Sequence, residues 1–409
     1  MSQVNDPLAV YRSKFHIPLR EDGSEQTYLC GHSLGLQPRS VREYIEAELE
    51  DWASLGVEGH FRARNPWMPY HRLLTDQAAR LVGAKPSEVV VMNSLTVNLH
   101  LMMVSFYRPT KARHKIVVEA GAFPSDQYAV KSQIGFHGFD PATSLIELRP
   151  REGEDFLREE DVCELLRREG ESIALVLMGG VNYSTGQAFD MKAITTAGHE
   201  QGCIVAFDLA HAAGNIVLKM HEWDVDWAAW CSYKYLNAGP GAIGGCFVHE
   251  RHGANTELPR FAGWWGHDEA TRFRMGPDFH PMTGADGWQL SNPSIFSMAP
   301  LRASLELFDE VGMARLRQKS EEMTALMEEE LTRRSQGRFT IVTPKEKGRR
   351  GAQLSIRVGA TRKCLVDELA LAGVICDWRE PDIIRAAPVP LYNSFDDVER
   401  FVEVFCKLI

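Results

Sequence analysis

Short apolar runs alternating with amphipathic stretches constrain this chain more than any other feature. Residues 89–92, 115–119, 173–178, 203–207 and 243–248 each read as a buried strand, and 98–104, 161–168 and 191–201 read as helices among them. A strand, a helix and a second strand return the chain in the same direction, so this order predicts a parallel α/β sheet. Pro38 opens a further helical stretch in which Val41, Ile45, Leu49 and Trp52 fall three or four residues apart. From 298 to about 334 the pattern predicts one long amphipathic helix with no proline after Pro300. Strands at 339–342, 353–358 and 374–377 and a helix at 363–371 then predict a small α+β domain. It closes with a helix capped by Ser394, whose apolar stripe is Phe395, Val398, Phe401, Val402 and Phe405.

The 409 residues suffice for about two to three domains. With 44% hydrophobic and 24% charged residues, the composition is that of a folded globular protein. A net charge of −10, with no basic tract, argues against a nucleic-acid partner. No zinc-ligand spacing occurs, so no metal site is expected. Residues 1–19 lack the apolar core of a signal peptide, and no run of about 18 apolar residues predicts a membrane span. Eight scattered cysteines without a CxxC pair read as reduced thiols in a cytoplasmic protein.

Chemistry concentrates in two neighbouring stretches. Ser232-Tyr-Lys234-Tyr-Leu-Asn-Ala-Gly239-Pro-Gly241 sets a lysine between two aromatics before a glycine-rich turn. A confined, semi-apolar setting favours the neutral amine that a lysine nucleophile needs. Taken alone, a lysine before glycines is usually a surface-turn residue. Asp208 changes that weighting, because it follows the apolar run 203–207 and so stands at the carboxyl end of a strand, where open parallel sheets bind ligands. Pyridoxal phosphate (PLP) needs a carboxylate at its pyridine nitrogen and a lysine for its Schiff base, here Lys234. An acid after a strand is as often a helix cap, so the pair tells more than either member.

The same stretches, Asp208-Leu-Ala-His211 and Ser232-Tyr-Lys-Tyr-Leu-Asn-Ala-Gly239, resemble kynureninase, a fold type I PLP hydrolase. The resemblance runs through almost the whole chain: Tyr28-Leu-Cys-Gly-His-Ser-Leu-Gly-Leu-Gln-Pro38, Asn93-Ser-Leu-Thr-Val-Asn-Leu-His100, Phe123-Pro-Ser-Asp126, Gly263-Trp-Trp-Gly-His267, Ser291-Asn-Pro293 and Ile384-Arg-Ala-Ala-Pro-Val-Pro-Leu-Tyr-Asn393. His32 departs from the Asn usual in the family. The resemblance implies an N-terminal segment (1–60) packing with the small domain, a large PLP-binding domain (61–297) and a small C-terminal domain (298–409). It further implies a cytoplasmic homodimer with shared active sites, working in tryptophan catabolism through the kynurenine pathway toward NAD biosynthesis.

The implied reaction is hydrolysis of L-kynurenine or its 3-hydroxy form to L-alanine and an anthranilate. The implied catalytic residues are Lys234, Tyr233 and Asp208. Cofactor binding falls to Leu95 and Thr96 at the phosphate, Phe123 stacked on the ring with Pro124, Ser125 and Asp126 beside it, Asp208, His211, Tyr233 and Lys234. Trp264 and Asn292 reach the cofactor across the dimer interface. Arg385, His60, Asn292 and Ser33 contact substrate, Arg385 as the bidentate carboxylate anchor. Without the resemblance, Thr96 is a plain cap, Phe123 a core residue, Trp264 a buried indole, Asn292 a turn amide and His60 a loop residue. The polar pair His60 and Asn292 predicts a preference for 3-hydroxykynurenine. Two alternatives stand beside this reading: a cysteine desulfurase or class V aminotransferase on the same fold, and a PLP-fold protein that has lost catalysis.

Overall fold

Successive side chains on the short apolar strands divide between two buried clusters. Val89 and Val91 join one and Val90 the other; Val117 joins the first, Ile116 and Val118 the second. Strands buried on both faces need a covering layer on each side of their sheet. The computed structural model, which describes residues 6–409, has that arrangement. Residues 1–5 of the stretch read as lacking a signal-peptide core lie outside the described residues.

Numbered along the chain, β1 (Thr27–Tyr28) lies in a separate two-stranded sheet. The strands β2 (Val89–Val91), β3 (Lys115–Glu119), β4 (Leu145–Leu148), β5 (Ile173–Gly179), β6 (Ile204–Asp208), β7 (Trp227–Trp230) and β8 (Gly245–Val248) form the large sheet. Their order is β2-β8-β7-β6-β5-β3-β4. Only β8 runs against the rest, pairing antiparallel with β2 and β7. This is the mostly parallel α/β sheet the alternation predicts. Two of its strands escaped the pattern: β4 is an edge strand only partly buried, and β7 is the short run Trp-Ala-Ala-Trp.

Beyond the large sheet, β9 (Thr340–Ile341), β10 (Leu354–Arg357), β12 (Asp377–Arg379) and β13 (Ile383–Ala386) make an antiparallel sheet in the order β12-β13-β10-β9. The strand β11 (Val374–Ile375) instead pairs parallel with β1. The stretch expected as one strand at 374–377 is therefore two, parted at Cys376. A third buried cluster holds this region together, with Leu29, Met323, Leu354, Ile384, Phe401 and Phe405 among its members. Ser394 accepts the Asp397 N–H at 3.2 Å and starts the helix Phe395–Leu408, as its cap position predicts.

The long helix expected over 298–334 is broken. It is two helices, Ile295–Val311 and Met313–Arg334, joined at Gly312, whose φ of 81° a glycine adopts without strain. The helix Val41–Leu55 also departs from expectation. Leu49 and Trp52 of its apolar stripe are 45% and 58% exposed, while Glu48 and Asp51 are buried. Those acids serve the chain that follows: Glu48 accepts from Trp67 Nε1 at 2.9 Å and Asp51 from the Arg64 N–H at 2.7 Å. All eight cysteines are free, five of them buried and Cys364 exposed. No helix of the described residues is long and apolar enough to cross a membrane.

Candidate active site

Three neighbouring strands end on acids or a glycine at one end of the sheet: β3 on Glu119, β5 on Gly179 and β6 on Asp208. Gly179 donates its N–H to both Glu119 oxygens, at 3.1 and 3.3 Å. A pocket opens over these ends, lined by Ser94, Leu95, Thr96, Glu119, Phe123, Ser125, Asp126, Gly179, Val181, Tyr183, Asp208, Ala210, His211, Tyr233 and Lys234. It adjoins a cavity of about 440 Å³ through Glu119 and Tyr183, which line both. That cavity is lined by Asp155 and Phe156 on one side and the Glu380–Ile383 turn of the small sheet on the other, and Arg357 bridges to Asp155 at 2.6 Å. A larger groove of about 940 Å³ runs past Ile17, Leu36 and Phe296, but its lining carries no carboxylate, lysine or arginine. We therefore place the chemistry in the smaller pocket.

Local structure explains how each side chain arrives there. Lys234 lies in a turn closed by Asn237 N–H to the Lys234 carbonyl at 3.0 Å and by Ala238 N–H to the Ser232 carbonyl at 3.0 Å. Gly35 of the N-terminal motif presses on this turn and donates its N–H to the Tyr233 carbonyl at 2.8 Å. A Cβ at Gly35 would stand 2.3 Å from the Lys234 carbonyl, so only glycine allows the contact. The Lys234 Nζ lies 5.7 Å from the Phe123 ring centre and 5.8 Å from that of Tyr233. Phe123 precedes the helix Pro124–Phe136, whose first turn brings Ser125 and Asp126 to the pocket.

Charge in the pocket is shaped by burial. Desolvation, then the Asp208 charge and a hydrogen bond with it, push the Asp126 carboxyl well above its ordinary range. Burial also raises Asp208 and drives Glu119 up to about 7. Burial, then Lys234 and Arg385, hold His211 well below its ordinary value, so its ring is neutral. Its buried Nδ1 has no hydrogen-bond partner. Burial raises the Tyr233 phenol too, keeping it protonated at neutral pH.

These groups suit pyridoxal phosphate. The helix Leu95–Phe106 begins at Ser94 with no side-chain cap, so its first N–H groups face the pocket unspent, as a phosphate requires. Phe123, 44% exposed, offers an open aromatic face. Asp208, at the strand end, offers a carboxylate to a pyridinium, and the unpartnered His211 lies beside it.

Not every expected residue reaches this pocket. Pro124 opens the Phe123 helix without lining the pocket, and Ser33, whose N–H bonds the Cys30 carbonyl, does not line it either. Arg385 is buried behind Tyr183: Asp377 holds its Nε at 2.8 Å and the Tyr183 carbonyl its Nη1 at 2.7 Å. His32 stands next to this pair, its Nε2 3.2 Å from Asp377 Oδ1. Burial, then Arg385, lower His32 to about 4. Trp264, Asn292 and His60 do not line the pocket of their own chain. Trp264 is 40% exposed rather than a buried indole, and Asn292 is exposed. His60 packs edge-on against Trp67, with ring centres 5.5 Å apart.

Glu119 and Tyr183 were not foreseen. Glu119 carried the same signal as Asp208, an acid ending an apolar strand. Tyr183 sits in a loop with no pattern. Its carbonyl and those of Ser184 and Thr185 accept from Arg385, Gln353, Ser355 and Thr343 of the small-sheet region.

The family model for the kynureninase C-terminal domain matches residues 316–405. The chain is 68% identical to the kynureninase of Koribacter versatilis (strain Ellin345), covering 98% of this chain and 95% of that protein. It is 63% identical to the kynureninase of Myxococcus xanthus (strain DK1622), over 98% and 94%. Among solved structures it resembles the apo cysteine desulfurase of Thermococcus onnurineus NA1, with a TM-score of 0.79, 18% identity and coverage of 100% and 99%. A likeness at that identity speaks to the fold, which is that of fold type I PLP enzymes.

Proposed function

The chain belongs to the kynureninase family, and on that premise we propose that this pocket hydrolyses the Cβ–Cγ bond of L-kynurenine and 3-hydroxy-L-kynurenine. The products are L-alanine and the matching anthranilate. The observation that carries the assignment of residues is the convergence of Lys234, Asp208 and Phe123 on one pocket at the strand ends.

Bound PLP supplies an electron sink that makes the bonds of an amino-acid substrate labile. The chain's residues do the rest. Thr96 and the first N–H groups of its helix would hold the phosphate, Phe123 would cover one ring face, and Asp208 would keep a proton on the pyridine nitrogen. Lys234 takes the proton from the substrate α-carbon through its Nζ. Water adds to the aryl ketone, whose carbon leaves as the carboxylate of the anthranilate. The β-carbon then takes a proton, a role we assign to the protonated phenol of Tyr233, which lines the pocket beside Lys234.

The desulfurase alternative needs a mobile reactive cysteine. Cys364 is exposed, but a hydrogen bond to Glu368 raises its thiol away from the reactive thiolate. None of the eight cysteines lines the pocket.

The working unit in this reading is a cytoplasmic homodimer in tryptophan catabolism. Support comes from a patch of large apolar side chains that a lone chain leaves in water. Phe61, Phe273 and Met275 are 62%, 59% and 75% exposed. Trp264 and Phe61 each pack against Phe273, at 5.4 and 6.4 Å between ring centres, and His60 adjoins Phe61. Such patches mark interfaces, and this one carries Trp264 and His60, two of the residues missing from the pocket. Incubation with each substrate tests the function: equimolar alanine and anthranilate, or 3-hydroxyanthranilate, is the expected result. Release of sulfur from cysteine with neither product would reject it.

A further inference from the structure

At the end of the large sheet opposite the pocket, three segments distant in sequence meet. They are the turn Pro86–Glu88 leading into β2, the loop before β7, and the residue after β8. One donor atom each from Glu88, His221 and His249 lies within 4.8 Å of the other two. Glu88 Oε1 is 2.9 Å from His221 Nδ1 and 3.9 Å from His249 Nδ1. Around a tetrahedral zinc ion with ligand bonds of about 2.0–2.1 Å, neighbouring ligand atoms stand about 3.4 Å apart, between those two separations. The two imidazoles stack with centres 5.0 Å apart and planes 13° from parallel, and both turn Nδ1 toward the same carboxylate.

The surroundings are those of a ligand set. Glu88 is wholly buried, and its two oxygens are fixed by the backbone N–H groups of Lys85 and Glu250, each at 2.8 Å. His249 Nε2 lies 3.3 Å from Asp224 Oδ1, the outer carboxylate that fixes the tautomer of a metal-bound imidazole. His221 is a third exposed, leaving a path for an ion and room for water. The nearby cations are themselves paired, Lys85 with Glu250, and Arg251 with Asp226 and with the same Asp224 that faces His249. An ion must displace two hydrogen bonds, the one between His221 Nδ1 and Glu88 Oε1 at 2.9 Å and a weaker one from Arg251 N–H to His249 Nδ1 at 3.2 Å.

We infer that Glu88, His221 and His249 form a binding site for one divalent transition-metal ion of the zinc class, remote from the cofactor pocket. The ion takes the place of the proton His221 shares with Glu88 and clasps three chain segments at the base of the sheet. Only neutral imidazoles can ligate, the displaced Nδ1 proton moving to Nε2 as the His221 ring changes tautomer, so binding weakens in acid.

The test strips the PLP-loaded enzyme with a chelator, dialyses it, and titrates it with zinc chloride while bound metal is measured. One zinc per chain is expected, with affinity at least tenfold weaker in His221→Ala and unchanged in Cys364→Ser. No binding, equal binding by His221→Ala, or loss in Cys364→Ser would overturn the site. Should His221→Ala not fold, diethyl pyrocarbonate labelling of the wild type reads the same contact. Zinc must protect His221, and unchanged labelling overturns the proposal.

Discussion

Asp377 faces Arg385 directly across the β12–β13 pair and accepts from both its Nε and its Nη2. This fork holds the proposed substrate anchor in one orientation before any carboxylate arrives. Burial opposes the Asp377 charge, but hydrogen bonds from His32 and Arg385 prevail and hold the carboxyl well below its usual range. Asp377→Asn leaves a buried guanidinium without its countercharge and should cost about 3 kcal/mol of stability at neutral pH. A carboxyl with a depressed folded pKa stabilises above its unfolded pKa and loses that effect as pH falls through the folded one. The gap between wild type and variant should therefore narrow in acid. Urea unfolding at pH 7 and in acid checks this, and KM should rise more than kcat falls. An unchanged urea midpoint would contradict it.

Legibility followed how local each signal was. Asp208 and Lys234 could be read because a strand end and a Lys-Gly turn are short-range patterns, and β13 could be read from its apolar residues. The partner of Arg385 could not, because Asp377 is an acid at the end of an expected strand until register sets it opposite the arginine. Tyr183 was hidden for a similar reason: its place between Phe123 and His211 comes from the packing of three separated segments. Gly312 was legible in principle, as a glycine inside a long helical pattern, but such a residue does not say whether the helix bends or stops.

Glu119 gives a pH signature. Burial raises its folded pKa to about 7, so its contribution to stability is present below the unfolded value and is lost as pH rises toward and through 7. Cofactor-free protein should lose stability, on the order of 1–3 kcal/mol, between pH 5.5 and 8. Glu119→Gln should reduce that change, leaving the part that the raised Asp126 and Asp208 carboxyls contribute. Urea midpoints across the range would show equal slopes in both proteins if Glu119 is not the group responsible.

Assembly can be tested by complementation. Trp264 and Asn292 lie outside the pocket of their own chain, so a shared site predicts at least a symmetric dimer. Mixing inactive Lys234→Ala with inactive Trp264→Ala should restore activity through one intact site per mixed dimer. No recovery after verified subunit exchange would mean that each site is built within one chain.

Substrate choice rests on the polar pair. A pocket that bonds a phenolic hydroxyl rejects the analogue lacking it, because its own polar groups are left unpaired. The buried Nδ1 of His60 has no partner within its own chain. The expected preference is for 3-hydroxykynurenine, moving toward kynurenine when His60→Trp and Asn292→Thr are combined. The ratio of kcat/KM for the two substrates decides; a wild-type ratio favouring kynurenine would contradict it.

In the proposed reaction Lys234 carries the proton chemistry, in a pocket whose acids Glu119 and Asp208 sit at the strand ends. Alanine release from 3-hydroxykynurenine by PLP-saturated Lys234→Ala tests it most directly. With one half-buried lysine removed, the fold should persist, the yellow absorption of the loaded enzyme should disappear, and the rate should fall by about a thousandfold or more. A folded Lys234→Ala protein that releases alanine at the wild-type rate would contradict the account.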